Sequence, residues 1–276
     1  MNHALSRPQR LLFRLLGHLA PAAAARKLAA MIADPKGRNP AQSWESAPGP
    51  VASEIEPLPG LYARSWGDEG PLVLAVHGWR GRPMQFLPLA AALLALGCRT
   101  VALDLPGHGR SAGRATPRIV GGLIAQVAER LGPVHGVIGH SFGGAVLGAA
   151  LLQGLAPQRL AVIASPARLS KLPLAMARAL ALPERAVGHL LRIMEQQAGR
   201  PPQEFDLASV LPRQALPGLI VHDRDDAVIP FRNAEELAAL WPLADLVATR
   251  GLGHRDLLAD PPTVAAVAAF LADSRA

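Results

Sequence analysis

Residues 137–144 read V-I-G-H-S-F-G-G. Apolar or small residues lead into Gly139-His140-Ser141-Phe142-Gly143, and Ala145-Val146-Leu147-Gly148-Ala149-Ala150-Leu151-Leu152 follows as a helix-like run. That is strand, sharp turn, helix, with a serine at the turn. Such an elbow holds its serine in a strained backbone conformation and lifts Oγ above the sheet edge. Glycine two residues to either side leaves room for so tight a bend. The helix that starts there points free N–H groups at the site, which suits a developing negative charge.

The pattern G-x-S-x-G occurs a second time, as Gly109-Arg110-Ser111-Ala112-Gly113. Context separates the two. Ser111 lies several residues past an expected strand at 99–103, beyond Pro106-Gly107, and no apolar helix run comes after it. Ser111 reads as a loop serine and Ser141 as the nucleophile.

Outward from the elbow, apolar runs alternate with helix-like segments. Residues 72–76 (L-V-L-A-V) are continuously apolar, as in a parallel strand buried on both faces. Further strands are expected at 51–56, 61–66, 99–103, 134–138, 160–164, 219–221 and 246–249, the first two as a hairpin turning at Pro59-Gly60. Helices are expected at 84–96, 117–131, 231–240 and 262–272. Strands alternating with helices imply an α/β fold, with a mostly parallel central sheet covered on both faces. Residues 169–214 interrupt the alternation with a leucine- and proline-rich helical stretch. An insertion there sits at the sheet's carboxyl edge, as a short cap over a modest pocket.

The first 50 residues stand apart as a helical extension and linker, and the main domain takes 51–276. Leu11, Leu12, Leu15, Leu16 and Leu19 fall on one helical face, and Arg7, Arg10, Arg14 and His18 on the other. A second short helix covers 22–33. Three readings of 1–35 stay open: a helix pair packed on the domain, a helix lying on a membrane surface, and a cleaved leader. Arg14 and His18 break the apolar core that a leader requires. No run reaches the ~18–20 apolar residues of a membrane span. Residues 39–50, rich in Pro, Ser and Gly, read as a linker.

Of the 276 residues half are hydrophobic, enough for a sizeable core. The single cysteine, Cys98, excludes an internal disulfide and fits a reducing, cytoplasmic compartment. The net charge of +7 comes mostly from scattered arginines. There is no dense basic run and no aromatic interleaving, which argues against nucleic acid as a partner.

A serine hydroxyl needs a base to take its proton, and the base needs an acid to orient it. In a strand–turn–helix setting the chain order is Ser, then Asp or Glu, then His. Among the nine histidines only His254, in Gly251-Leu252-Gly253-His254, comes after the acid candidates. It reads as the general base. Asp223, Asp225 and Asp226 all lie just past the strand at 219–221 and are all candidates for the acid. Two backbone N–H groups should hold the oxyanion. Phe142 supplies one, and the loop His77-Gly78-Trp79 the other, through Trp79. The Trp79 side chain also reads as a pocket wall, so Trp79 and Phe142 are expected at the substrate. His77 reads as an imidazole that holds this loop.

Five motifs occur in order: His77-Gly78-Trp79; Leu103-Asp104-Leu105-Pro106-Gly107-His108-Gly109-Arg110-Ser111; Gly139-His140-Ser141-Phe142-Gly143-Gly144; Asp226-Ala227-Val228-Ile229-Pro230; and Gly253-His254. Together they resemble the α/β-hydrolase superfamily, over roughly residues 51–276. The resemblance implies an esterase- or lipase-like serine hydrolase with a small cap. It picks Asp226 over Asp225, because the family's acid precedes a proline by four residues, as Asp226 precedes Pro230. It implies no metal and no organic cofactor. A serine at the elbow argues against the branches with aspartate there, which act on haloalkanes or epoxides. Acyl transfer to water is the expected reaction, with a small acyl ester as substrate. An acyltransferase, a thioesterase, a C–C-bond hydrolase and a non-catalytic binding protein of the same fold are the alternatives.

Overall fold

The computed structural model describes residues 7–35 and 37–273, with residues 7–9 described by backbone alone. The expected basic position Arg7 therefore has its side chain outside the described residues. In chain order the elements are α1 (Arg7–Leu19), α2 (Pro21–Ala33), β1 (Ser53–Leu58), β2 (Leu61–Trp66), β3 (Leu72–Val76), α3 (Leu87–Ala95), β4 (Arg99–Leu103), α4 (Pro117–Leu131) and β5 (Val134–His140). The chain continues with α5 (Phe142–Ala145), α6 (Leu147–Leu152), β6 (Arg159–Ile163), α7 (Leu172–Ala179), α8 (Glu184–Ala198), α9 (Leu207–Val210), β7 (Gly218–Asp223), α10 (Arg232–Leu240), β8 (Ala244–Thr249) and α11 (Pro261–Ala272).

The eight strands form one sheet in the order β1-β2-β4-β3-β5-β6-β7-β8. β2 runs antiparallel to both its neighbours, and every later pairing is parallel. β3 shows why its sequence is apolar throughout. Leu72, Leu74 and Val76 face one core, shared with α4, α6 and α10. Val73 and Ala75 face the other, shared with α3 and α11. Two buried faces leave no polar position in the strand. Helix starts follow local chemistry: Thr116 accepts from the Ile119 N–H ahead of α4, and Asp260 from the Thr263 N–H ahead of α11, each with proline opening the helix.

The N-terminal helices and the insertion share a third core. Phe13, Ala24, Ala25, Leu28 and Ala29 pack with Ala177, Leu180, Leu182, Ala186 and Leu190 of α7, α8 and the turn between them. The packed side of α1 is Phe13, Leu16 and Gly17. A Cβ on Gly17 would lie 2.6 Å from Pro183 Cδ, so the glycine permits the close approach. The leucine face of the sequence does not pack as one unit. Leu16 turns inward, and Leu11, Leu12, Leu15 and Leu19 are exposed.

The stretch after α2 is tied down along its length. Arg38 meets Asp104 at 3.2 Å, the Asn39 N–H donates to the Arg80 carbonyl at 2.8 Å, and buried Glu45 lies 3.4 Å from Arg82. It is a strap held to the domain, although its Pro, Ser and Gly content reads as a linker. No described helix is long and apolar enough to cross a membrane.

Candidate active site

β5 ends at His140, and the chain turns sharply into α5. Ser141 has φ +55° and ψ −121°, a conformation that costs a non-glycine residue energy and persists only where the surroundings enforce it. The surroundings do so. A Cβ on Gly143 would lie 2.0 Å from the Val76 carbonyl oxygen, and one on Gly139 2.3 Å from Gly144 Cα. The Ser141 N–H donates to the Ile163 carbonyl, and Ser165 Oγ–H donates to the Ser141 carbonyl at 3.1 Å.

His254 comes to the elbow from the loop after β8. Its Nε2 accepts from Ser141 Oγ–H at 3.0 Å, and its Nδ1–H donates to Asp226 Oδ2 at 2.8 Å. The other Asp226 oxygen accepts from the N–H groups of Val228 and Ile229 at 2.7 and 2.9 Å. His222 Nε2, which donates to the Ile229 carbonyl, lies 3.4 Å from Oδ2. Burial pushes the Asp226 carboxyl up. Hydrogen bonds from His222 and His254, the charge of His254 and the Ile229 N–H outweigh burial, and hold it well below the usual carboxylate range.

The neighbouring carboxylates do another job. Asp225 Oδ2 accepts from the Gly251 N–H at 3.0 Å. Asp223 Oδ2 accepts from Thr249 Oγ1–H at 2.6 Å and from the Leu252 N–H at 3.1 Å. Both hold the loop that carries His254. His140 adds a further tie, donating from Nε2 to the His254 carbonyl at 2.9 Å. Its Nδ1 is buried without a partner, and burial pushes its pKa down to about 3, so this imidazole is neutral. The sequence motifs signalled neither of these supports.

Trp79 and Phe142 flank the serine, their rings in edge contact with centroids 5.8 Å apart. Among the described residues neither the Trp79 nor the Phe142 N–H donates to a protein acceptor. The Trp79 loop is braced from three directions. Asn39 Nδ2 donates to the Trp79 carbonyl at 2.8 Å. His77 accepts from the Leu105 N–H through Nε2 at 3.1 Å and donates to the Gly78 carbonyl through Nδ1 at 2.8 Å. His108 Nε2 accepts from the Arg80 N–H at 3.0 Å. Ser111 is not near the elbow in function: its Oγ accepts from the Tyr62 N–H at 2.9 Å.

A cavity of about 610 Å³ opens above Ser141. Its walls include Trp79 and Phe142, Leu172 and Met194 of the cap, and Ile32 of α2. The cap alone is small. The N-terminal helices thicken it, and α2 completes the wall.

A model of the alpha/beta hydrolase family matches residues 72–267, which span the sheet from β3 onward together with Ser141, Asp226 and His254. The chain belongs to that family. Solved structures agree on the fold. An esterase from Exiguobacterium antarcticum superposes with a TM-score of 0.58 at 21% identity, over 77% of this chain and 96% of its own. The thioesterase domain of a curacin biosynthetic pathway gives 0.57 at 20% identity, over 81% of this chain and 99% of its own. Curated relatives match short stretches. Bovine (Bos taurus) protein phosphatase methylesterase 1 is 35% identical over 89 residues, 29% of this chain and 23% of the relative. A dihydrolipoyllysine-residue acetyltransferase component from Cupriavidus necator is 37% identical over 125 residues, 41% of this chain and 30% of the relative. This alpha/beta hydrolase thus spans less than a third of those two proteins' lengths in the matched stretches.

Proposed function

We propose that this hydrolase cleaves a carboxylic ester through an acyl-enzyme on Ser141, with His254 as general base and Asp226 as the acid that orients it. The observation that carries the reading is the continuous chain from Ser141 Oγ to His254 Nε2 at 3.0 Å and from His254 Nδ1 to Asp226 Oδ2 at 2.8 Å. As Oγ attacks the ester carbonyl carbon, Nε2 takes the hydroxyl proton. The carbonyl oxygen becomes an oxyanion, for which the free N–H groups of Trp79 and Phe142 are the available donors. His254 passes its proton to the departing alcohol, leaving the acyl-serine. Water then attacks the acyl carbon as His254 takes its proton, and that proton returns to Ser141 Oγ when the acid leaves. Asp226, buried and anionic, stabilises the imidazolium in both halves.

The apolar walls of the cavity, among them Ile32, Leu172, Met176 and Met194, support an ester with an extended apolar acyl or alcohol group. The bovine relative's name as a methylesterase supports ester over other acyl groups. Acyltransferase, thioesterase and C–C-bond hydrolase chemistry would use the same triad. A fluorophosphonate probe tests the reading. Labelling at Ser141 that is lost in Ser141→Ala, with turnover of p-nitrophenyl esters rising with chain length, is expected. An unlabelled, folded protein would sink it.

A further inference from the structure

α1 carries three faces. Phe13, Leu16 and Gly17 pack against the cap and the second helix. Leu11, Leu12, Leu15 and Leu19 are 58, 50, 52 and 84% exposed. At about 100° per residue they lie roughly opposite the packed side. Arg10, Arg14 and His18, all exposed, line a third face beside the leucines. Single exposed leucines are ordinary on a protein surface. Four on one face of a 13-residue helix form a contiguous patch.

The charge of the helix pair itself is one-sided. Residues 1–33 contain Arg7, Arg10, Arg14, Arg26 and Lys27 and no aspartate or glutamate. Arg26 and Lys27 of α2 are exposed as well. A second copy of the chain is a poor occupant, because a two-fold contact would set Arg10 and Arg14 against their own counterparts. A surface that is apolar inside and anionic at its edge fits both faces at once.

We infer that α1 docks this protein onto an anionic lipid bilayer. Leu11, Leu12, Leu15 and Leu19 enter the boundary between headgroups and acyl chains, and Arg10 and Arg14 meet the lipid phosphates. The packed side of the same helix stays in the cap core, so docking requires no unfolding. α2 links this surface to the cavity, since it packs on α8 and supplies Ile32 to the wall. The docking does not depend on which bond the enzyme cleaves.

Sedimentation of the full chain with vesicles tests it. At low salt the protein should pellet with phosphatidylcholine–phosphatidylglycerol vesicles, much less with phosphatidylcholine alone, and be released as salt rises. The triple variant L11Q/L15Q/L19Q should lower the partition coefficient at least about tenfold. R10Q/R14Q should lower it on the anionic vesicles only. These side chains are exposed, so melting temperatures should match the parent and show that the fold is kept. Absence of sedimentation at low salt would overturn the inference, as would a triple variant that binds like the parent. A dimer in velocity sedimentation that the leucine substitutions dissolve would also overturn it, by assigning the patch to a second copy.

Discussion

Ser141 and Ser111 stand in the same G-x-S-x-G frame and are held in opposite ways. Ser141 sits at φ +55°, with its hydroxyl turned toward an imidazole and a cavity. Ser111 is 4% exposed, has no positive φ, and spends its hydroxyl on a backbone N–H of β2. The difference lies in the segment immediately C-terminal to each serine. Behind Ser141 the chain must turn at once into a helix packed under the sheet. Behind Ser111 it runs on as a loop. Yet the two regions cooperate. The Ser111 loop carries Asp104 and His108, and His108 braces the backbone at Arg80, next to Trp79. One copy of the frame turns its hydroxyl to His254 and the cavity, and the other holds the loop that faces it.

The sharpest break of this comparison is to remove each hydroxyl. Ser141→Ala should cost on the order of 10⁴–10⁶ in kcat. Ser111→Ala should leave kcat within a few-fold and instead cost about 1 kcal/mol of stability, because it leaves the half-buried Tyr62 N–H without its acceptor. Steady-state kinetics and urea denaturation of both variants separate the two roles. A dead Ser111→Ala beside an active Ser141→Ala would reverse them.

A second contrast, between adjacent carboxylates, carries the next largest effect. Asp226→Asn should cost ~10³-fold or more in kcat with little change in KM, because the imidazole loses its orienting charge. Asp225→Asn should cost less than about tenfold, since among the described residues the Asp225 carboxylate meets only the Gly251 N–H of the loop. Comparable losses at both positions would mean that the neighbour substitutes.

Much of this was legible in the chain, and the exceptions have physical causes. β3 could be read to the residue because both its faces are buried, so its pattern admits no polar break. β1 was expected at 51–56 and runs Ser53–Leu58, since an edge strand with half its residues exposed and one buried carries a weak pattern. The packing of the N-terminal helices was hidden by composition. Their shared core rests on Phe13 and on alanines 24, 25 and 29, whose small side chains signal little to periodicity, whereas the conspicuous leucines point outward. Asn39 and His140 act through backbone carbonyls far along the chain, which no local motif can announce. Asp225 and Asp226 differ by one position, and only the spacing to Pro230, taken from the resemblance, separated them in the sequence. In the structure His254 Nδ1–H meets Asp226, whereas Asp225 accepts from the Gly251 N–H.

The brace on the Trp79 loop offers a smaller effect. Asn39→Ala removes one hydrogen bond to the Trp79 carbonyl. It should lower kcat by roughly three- to thirtyfold while KM moves little, as expected where a transition-state donor is loosened rather than lost. Asn39→Asp should not restore the rate, because a carboxylate cannot donate to a carbonyl. Restoration by Asp, or a loss confined to KM, would remove Asn39 from the support of this loop.

The smallest effect per variant is a proton count that the two regions share. His140 precedes Ser141, and His108 belongs to the Ser111 loop. Burial pushes each imidazole down to about 3. In the unfolded chain each would return to about 6.5. Between those values the unfolded state binds more protons than the folded state, so stability rises with pH. The contribution is complete above about pH 6.5 and is lost as pH falls toward 3, at up to about 1.4 kcal/mol per pH unit for each imidazole. The buried carboxylates with lowered values, Asp226 and Asp104, act in the same direction, but only below about pH 4 where an unfolded aspartate takes up its proton. Burial pushes the Asp206 carboxyl up, which opposes the histidines from about pH 4 upward, so the histidine contribution is read as the difference in urea midpoint between variant and parent from about pH 6.5 to 4.5. His140→Gln and His108→Gln should each flatten that slope by about one proton, and the double variant by about two. At 140 the glutamine amide can still donate to the His254 carbonyl, and at 108 its oxygen can still accept from the Arg80 N–H, so the lost slope reports the imidazole and not a broken hydrogen bond. If His140→Gln keeps the full slope while His108→Gln flattens it, the elbow imidazole takes up a proton inside the folded protein. The neutral role given to it beside Ser141 would then be wrong.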